Sequence, residues 1–170
     1  FTRALWSPNT ASVDPKECMR ALVDEVKRKG VELRLDAPYM QHQGRRVRAG
    51  SEWIETGYLI NAAGLQADRI AHDFGFGRDY RILPFKGIYL YGDDDWSPLR
   101  AHIYPVPDLK QTFLGVHFTV TVDGRAKIGP TAIPALWREQ YKGLGGFVPS
   151  EFGSILRDQL RLFVANEFGF

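Results

Sequence analysis

A histidine in a strand-like segment of this sequence, His117, could support acid–base chemistry. It alternates with Val116 and Phe118, so in a strand its side chain would point to the opposite face of the sheet from theirs. A neutral imidazole can take a proton from a substrate near physiological pH. A histidine in a strand is more often a structural residue with its hydrogen bonds satisfied than a catalyst, and the residues alone leave both interpretations open.

A second segment that could contact a ligand is the run of small residues Asn61, Ala62, Ala63 and Gly64. It follows an apolar run, residues 58–60, that predicts a buried strand, and it precedes a helix-like stretch. Small side chains at such a corner would let a flat ligand or its phosphates approach the backbone and the start of the helix. The same residues are equally consistent with a tightly packed strand-to-helix corner.

Other motifs that would identify a site are absent from the sequence. Gly75 and Gly77 lack the third glycine of a dinucleotide loop, and no Gly-x-Ser-x-Gly elbow marks a hydrolase. Asp93 begins a run of three aspartates that resembles a calcium loop, but Pro98 stands where such a loop needs glycine, so we expect a solvated turn. No metal site is expected, because the histidines lack metal-ligand spacing; they are His42, His72, His102 and His117.

Three helices are expected to frame these segments. Asp14 as N-cap, Pro15 in the first turn and Gly30 as a stop predict a helix over residues 14–29. Its apolar positions fall on one stripe, formed by Met19, Leu22, Val23 and Val26. Two further helices are predicted over residues 67–74 and 149–163, the latter with Ser150 as a possible cap. The residues expected to face inward on it are Ile155, Leu156, Leu160 and Phe163.

The remaining segments are strand-like. Short strands are predicted at residues 31–35, in a hairpin over 39–49, and at 52–55, 58–60, 81–91, 102–104, 113–120 and 125–128. Pro130 and Pro134 are expected to end this region. The order of elements predicts an α+β fold with a mixed, largely antiparallel sheet and flanking helices. We expect three parts: residues 1–79, an antiparallel sheet over 80–148, and a C-terminal helix over 149–170.

Composition excludes several classes of protein. The chain has 170 residues, of which 44% are hydrophobic, so it can bury a core. A near-balance of 22 Lys and Arg against 20 Asp and Glu argues against a nucleic-acid binder, and no apolar run is long enough for a transmembrane segment. The single Cys18 favours a reducing compartment, so we expect a cytoplasmic protein. The chain opens on Phe1 without a methionine, and is expected to be a piece of a longer protein.

Seven segments in order give the sequence a family resemblance. It resembles the FAD-dependent oxidoreductases of the D-amino-acid oxidase (DAO) type, and most of all their L-2-hydroxyglutarate dehydrogenase/oxidase branch. The most specific segments are Tyr104-Pro-Val-Pro-Asp108 and Leu114-Gly-Val-His117. The full set is residues 13–15, 30–35, 60–69, 82–87, 103–108, 114–119 and 128–132. The resemblance implies the substrate domain of such a flavoprotein with part of its FAD domain.

The resemblance also implies site residues and a cofactor. FAD would accept a hydride from a carbon bearing a hydroxyl or an amine, while the protein supplies a base and charges. By resemblance, His117 is the candidate base or substrate ligand. Lys86 stands where the branch usually has arginine, which keeps the charge but loses the bidentate fork. The remaining residues with implied roles are Tyr104 and Thr119, as substrate donors, and Ala62, Ala63 and Gly64, as backbone contacts of the FAD diphosphate.

The sequence departs from the family where FAD is bound. The glycine-rich nucleotide loop and the C-terminal segment that closes over the flavin are not among its residues, so the isolated chain is expected to bind FAD weakly or not at all and to be inactive. Two other functions stay open: a fragment of an FAD-dependent amino-acid oxidase, and a non-catalytic binding domain with a vestigial flavin site. The expected partner is a small 2-hydroxy acid or amino acid, with no nucleic acid. Self-association through sheet edges and a membrane-peripheral full-length protein also remain open.

Overall fold

The computed structural model describes residues 3–92, 99–110 and 113–165. Within these residues it contains three α-helices, one short 3-10 helix and six strands in two three-stranded sheets. The helices are α1 (Pro15–Arg28), α2 (Ala67–Asp73) and α3 (Pro149–Val164), and the 3-10 helix is Gly64–Gln66. The strands are β1 (Tyr39–Gln43), β2 (Arg46–Ala49), β3 (Glu52–Glu55), β4 (Phe85–Tyr91), β5 (His117–Val120) and β6 (Ala126–Pro134). The predicted α+β class is confirmed. The aspartate run that begins at Asp93 lies outside the described residues.

Helix α1 begins as its sequence predicts. The side chain of Asp14 accepts a hydrogen bond from the amide of Lys16 at 2.8 Å, and Pro15 occupies the first turn. Gly30, just beyond the end, has φ +74°, a conformation that glycine adopts without strain. No residue of this helix is buried, so its apolar stripe remains at the surface of the described chain.

The first sheet is a meander of strand order β1-β2-β3, and it confirms the predicted hairpin. Its register pairs Val47 of β2 with His42 of β1 and with Ile54 of β3. The His42 ring stacks on Phe74 at 3.9 Å, just beyond the end of α2. Tyr39 donates a hydrogen bond to Asp73, and partial burial together with this carboxylate raises the pKa of the Tyr39 hydroxyl. The meander and α2 therefore pack together through aromatic and polar contacts.

The second sheet has strand order β4-β6-β5, and β5 pairs with β6 in antiparallel register. Pro134 is the last residue of β6 and ends this region as predicted, whereas the prediction for Pro130 is wrong, because Pro130 lies within β6. His117, the first residue of β5, pairs with Gly129, so Pro130 lies just past the end of the β5 ladder. On the side of β6 that faces β5, the N–H that Pro130 lacks therefore removes no hydrogen bond between the strands.

Two predicted strands are wrong. Residues 31–35 and 58–60 adopt neither helix nor strand, and the side chains of Tyr58 and Ile60 are 86% and 79% exposed. An alternating or apolar run forms a strand only when a second strand supplies hydrogen bonds. Among the described residues, no strand pairs with either run. The predicted strand at 102–104 is reduced in the same way to a single bridge between Ile103 and Phe118.

Helix α3 differs from prediction at its cap and on its inner face. Val148, in extended conformation, precedes Pro149 as the N-cap, so the predicted cap at Ser150 is wrong. A residue before proline is driven to extended backbone, which fixes the start of the helix there. Ile155 is buried as predicted, but Leu160 and Phe163 are 54% and 65% exposed.

By their contacts, the residues form two compact units. The first comprises residues 1–33 and 88–131, and contains α1 and β5. The second comprises residues 34–87 and 132–170; it contains the meander, α2 and α3, with Trp137 and Ile155 fully buried. In the part of the chain that the structure describes, no helix is long and apolar enough to cross a membrane.

Candidate substrate and cofactor sites

A backbone carbonyl in the first unit selects one tautomer of the neutral His117 ring. The side chain is 7% exposed, and its Nδ1 lies 2.9 Å from the carbonyl oxygen of Gly115. A carbonyl only accepts, so Nδ1 must carry the proton. In the neutral ring this leaves the lone pair on Nε2, which is the form that a general base requires.

Tyr104 lies directly beside His117. The antiparallel bridge between Ile103 and Phe118 sets Tyr104 opposite His117, and the two ring centroids are 4.6 Å apart. Pro105, the residue after Tyr104, packs against Gly115 in the loop before β5. A Cβ placed on Gly115 would lie 3.1 Å from the Pro105 ring. The structure thus brings together two residues that the resemblance selects from separate segments.

Thr119 shares a sheet face with His117, since it lies two residues further along β5. It pairs with Lys127 of β6, and His117 pairs with Gly129. Directly opposed residues in an antiparallel pair share a face. This face therefore carries His117, Thr119 and Lys127.

Tyr89 of β4 completes the same face. A Cβ built on Gly129 would lie 2.7 Å from the Tyr89 ring and 2.7 Å from the Ile88 carbonyl oxygen, so the ring covers Gly129. The Lys127 ammonium lies over that ring, 4.6 Å from its centroid. We call the five residues Tyr89, Tyr104, His117, Thr119 and Lys127 the polar face. The sequence alone assigns no role to Lys127 or to Tyr89, because only the strand register reveals their position.

A serine and a histidine at hydrogen-bond distance in the same unit are not a nucleophile and its base. Ser12 Oγ lies 2.7 Å from Nε2 of His102, and 2.9 Å from the carbonyl oxygen of Val120. The amide of Val120 donates to Nδ1 of His102, so the neutral ring carries its proton on Nε2 and donates it to Ser12. Ser12 in turn donates to a carbonyl, which makes the pair a structural link.

Lys86 lies in the second unit, on strand β4, and is partly buried. Its role as a substrate contact stays a prediction.

The corner at Ala62, Ala63 and Gly64 lies in the second unit and is shaped by Asn61. The side chain of Asn61 donates to the carbonyl of Ala67 at 2.8 Å and accepts from the amide of Ala63 at 3.3 Å. Gly64 has φ +53°, and an added Cβ there would meet no atom within 4 Å. The segment between the apolar run at 58–60 and the following helix is thus a turn that the side chain of Asn61 stabilises.

The corner fits a backbone contact with a dinucleotide. Ala62 and Gly64 are exposed and carry little or no side chain, so a phosphate could approach the backbone closely. The three residues supply one edge of such a site only, since the sequence has no three-glycine loop to cradle the rest of a diphosphate.

A buried ionic network fixes this corner to the rest of the second unit. Arg138, 7% exposed, donates through Nε to the carbonyl of Leu65 at 2.6 Å and through Nη2 to Asp68 at 2.5 Å. Asp68 also accepts from the amide of Ile82 at 3.0 Å. Glu151 of α3 accepts from the amide of Arg138 at 2.8 Å, and pairs with Arg69 at 2.6 Å. Sequence reasoning missed this network, because its members are far apart along the chain.

The family assignment follows from a match over nearly the whole chain. Residues 1–167 match the family model described as "FAD dependent oxidoreductase" (DAO). The chain belongs to this family. The predicted resemblance is confirmed, and FAD is the cofactor of the family.

Curated relatives point to one branch of the family. The chain is 36% identical over 149 residues to the mitochondrial L-2-hydroxyglutarate dehydrogenase of Caenorhabditis elegans, covering 82% of this chain and 34% of the relative. It is 36% identical over 135 residues to the human mitochondrial enzyme of that name, covering 76% and 29%. It is 34% identical over 145 residues to L-2-hydroxyglutarate dehydrogenase of Salmonella houtenae, covering 81% and 34%. The chain therefore spans about a third of the length of these relatives.

Proposed function

We propose that the protein containing this chain oxidises a 2-hydroxy acid, with L-2-hydroxyglutarate as the substrate, and that the polar face binds and deprotonates it. The observation that carries this proposal is the hydrogen bond from His117 Nδ1 to the Gly115 carbonyl, which leaves Nε2 free to accept a proton. The names of the relatives support the choice of substrate.

Each residue has a defined part in the proposed reaction. FAD, when bound, supplies the acceptor for the hydride that leaves the substrate carbon. His117 accepts the hydroxyl proton at Nε2, and Tyr104 and Thr119 donate hydrogen bonds to substrate oxygens. Lys86 contributes a positive charge for a carboxylate. Ala62, Ala63 and Gly64 would contact the FAD diphosphate through their backbone.

The proposal is tested by His117→Gln in the protein expressed from its whole reading frame and loaded with FAD. We expect kcat with L-2-hydroxyglutarate to fall roughly a hundredfold to ten-thousandfold, the usual contribution of a general base, with a smaller change in KM. The rise of kcat/KM with pH that the base produces should be lost. These values come from steady-state kinetics at several pH values.

His72→Gln is the matched control. His72 Nε2 lies 2.9 Å from the carbonyl oxygen of Gly77 and 2.8 Å from that of Tyr80, so it has a structural role in the second unit. Its loss should lower stability and leave kcat/KM unchanged. Full turnover in His117→Gln would contradict the assignment of the base.

The same preparation distinguishes the alternative functions. Reduction of the flavin by amino acids in place of 2-hydroxy acids would assign the protein to the amino-acid oxidases of the family. A full-length protein that neither binds FAD nor oxidises either class would support a non-catalytic binding domain.

The compartment also remains a proposal. A cytoplasmic location rests on the single Cys18, whereas the nematode and human relatives are named mitochondrial. Fractionation of cells that express the whole reading frame would decide between them.

A further inference from the structure

Lys127 is a cation on the polar face whose charge is not used within the described chain. Its ammonium is held against the Tyr89 ring at 4.6 Å by a cation–π contact. Among the described residues, no carboxylate lies within ion-pair distance of it, and it has no hydrogen-bond acceptor. An ammonium has three donors and no acceptor, so the side away from the ring can receive an anion.

Arg125, two residues earlier on the same segment, differs in this respect. Its guanidinium lies over Tyr91 at 6.0 Å, and its Nε donates to Asp123 at 2.8 Å. The charge of Arg125 is already compensated by Asp123. Hydrogen bonds from Thr121 and from Arg125 hold the pKa of Asp123 below its ordinary value. Arg125 and Lys127 thus each lie over a tyrosine. Lys127, for which the described residues include no carboxylate partner, shares the sheet face of His117.

The strand register sets the separation between Lys127 and His117. His117 pairs with Gly129 and Thr119 pairs with Lys127, so the Cα atoms of His117 and Lys127 belong to successive same-face rows. Such rows are about 6.8 Å apart along a strand. The Lys127 ammonium itself lies over the Tyr89 ring, which covers Gly129 in the row of His117. A carboxylate bonded directly to the hydroxyl-bearing carbon would remain in the row of His117. A second carboxylate at the far end of a five-carbon chain would extend across β6 toward the ammonium, which lies over the Tyr89 ring beside Gly129.

We propose that Lys127 binds the distal carboxylate of a dicarboxylic 2-hydroxy acid whose hydroxyl faces His117. This inference rests on the proposed function, and it assigns selectivity for diacids over monoacids to one residue. Tyr89 holds the ammonium in place on one side, and Thr119 is the residue paired with Lys127 on β5.

The test is Lys127→Met in the FAD-loaded protein expressed from its whole reading frame. Its kinetics are compared on L-2-hydroxyglutarate and on 2-hydroxyvalerate, which has five carbons and no distal carboxylate. A charged hydrogen bond lost from the bound substrate should raise KM for the diacid roughly tenfold to a hundredfold. The kinetic constants for the monoacid should not change, and Lys127→Arg should recover most of the loss.

Arg125→Met serves as the matched control, because it removes a cation from over a tyrosine without touching the proposed anchor. It should leave KM for the diacid unchanged. Equal effects of Lys127→Met on the diacid and the monoacid, or no effect on either, would overturn the proposal, since a role in folding alone does not discriminate between them.

Glutarate, which cannot be oxidised at a hydroxyl, separates this inference from the proposed function. Calorimetry should show that glutarate binds the parent protein and binds Lys127→Met at least tenfold more weakly. If glutarate binding depends on Lys127 while no 2-hydroxy acid is oxidised, the anchor stands and the proposed reaction fails. If a 2-hydroxy acid is oxidised but glutarate binds the parent protein and Lys127→Met equally well, the role of Lys127 is contradicted and the proposed reaction is supported.

Discussion

At the scale of single residues, the polar face depends on the absence of a side chain at Gly129 as much as on the side chains that form it. Gly129 has φ +148°, and the space its side chain would occupy is filled by the Tyr89 ring and the Ile88 carbonyl. A larger residue would have to displace the strand or turn the ring away from Lys127. The glycine therefore maintains the arrangement of the cation–π pair opposite His117.

Gly129→Ala tests this packing. Its Cβ would come within 2.7 Å of backbone and ring atoms, and its φ is unfavourable for alanine, so we expect unfolding to become easier by about 1–3 kcal/mol. The free energy of unfolding, from urea denaturation, measures the effect.

Gly153→Ala is the control substitution. Gly153 lies within α3, and a Cβ there meets no atom within 4 Å. It should leave stability unchanged or raise it by about 0.5–1 kcal/mol, because alanine favours a helix. Equal stability of Gly129→Ala and the parent protein would show that the Tyr89 ring can move aside without cost.

At the scale of elements, local signals predicted what local interactions can stabilise. Helix α1 and the β1–β2 hairpin were found from a cap, turn residues and periodicity, each of which acts within a few residues. The runs at 31–35 and 58–60 were wrongly predicted as strands because a strand depends on a partner that the pattern does not specify. The polar face was found only in part for the same reason: family resemblance selects His117 and Tyr104, but Lys127 and Tyr89 join them through register.

Arg138 connects three elements of the second unit, namely the turn at Leu65, helix α2 and helix α3. Its replacement by methionine would leave the buried carboxylate of Asp68 without its ion-pair partner and would remove one of the two arginines that pair with Glu151. Removing one member of a buried pair typically costs about 3–5 kcal/mol, and we expect Arg138→Met to lower the free energy of unfolding by that amount. Chemical denaturation measures it.

Arg161→Met provides the comparison within α3. Arg161 is 74% exposed and lies 4.0 Å from Asp158, so its loss should cost no more than about 1 kcal/mol. A loss of stability in Arg138→Met as small as that in Arg161→Met would mean that water or nearby groups compensate the two carboxylates.

At the scale of the whole molecule, the proposed substrate site and the proposed FAD contact differ in how many groups this chain supplies to each. The polar face supplies an imidazole, hydroxyl groups and a cation, whereas the proposed FAD contact consists of a short backbone corner. The order of the predicted elements was sufficient to predict the α+β class. It was not sufficient to predict how the site is shared between segments, because that depends on contacts between residues distant in sequence.

The 170-residue chain is expected to bind FAD weakly or not at all and to have no oxidase or dehydrogenase activity. One backbone corner offers too few donors to hold a diphosphate, since dinucleotide sites rely on a glycine-rich loop at a helix start. Titration of FAD, followed by quenching of flavin fluorescence, measures the affinity, with the full reading frame as the positive control. Tight, stoichiometric binding by the 170-residue chain would contradict this expectation.

The hydrogen bond from His117 to Gly115 has a consequence for evolution and engineering. The acceptor is a peptide carbonyl, which every amino acid at position 115 would provide. Many histidine bases are oriented by a carboxylate side chain, and one mutation there removes the partner. In this chain the location of the ring proton is encoded by the path of the backbone, so a substitution can abolish it only by bending the chain before β5.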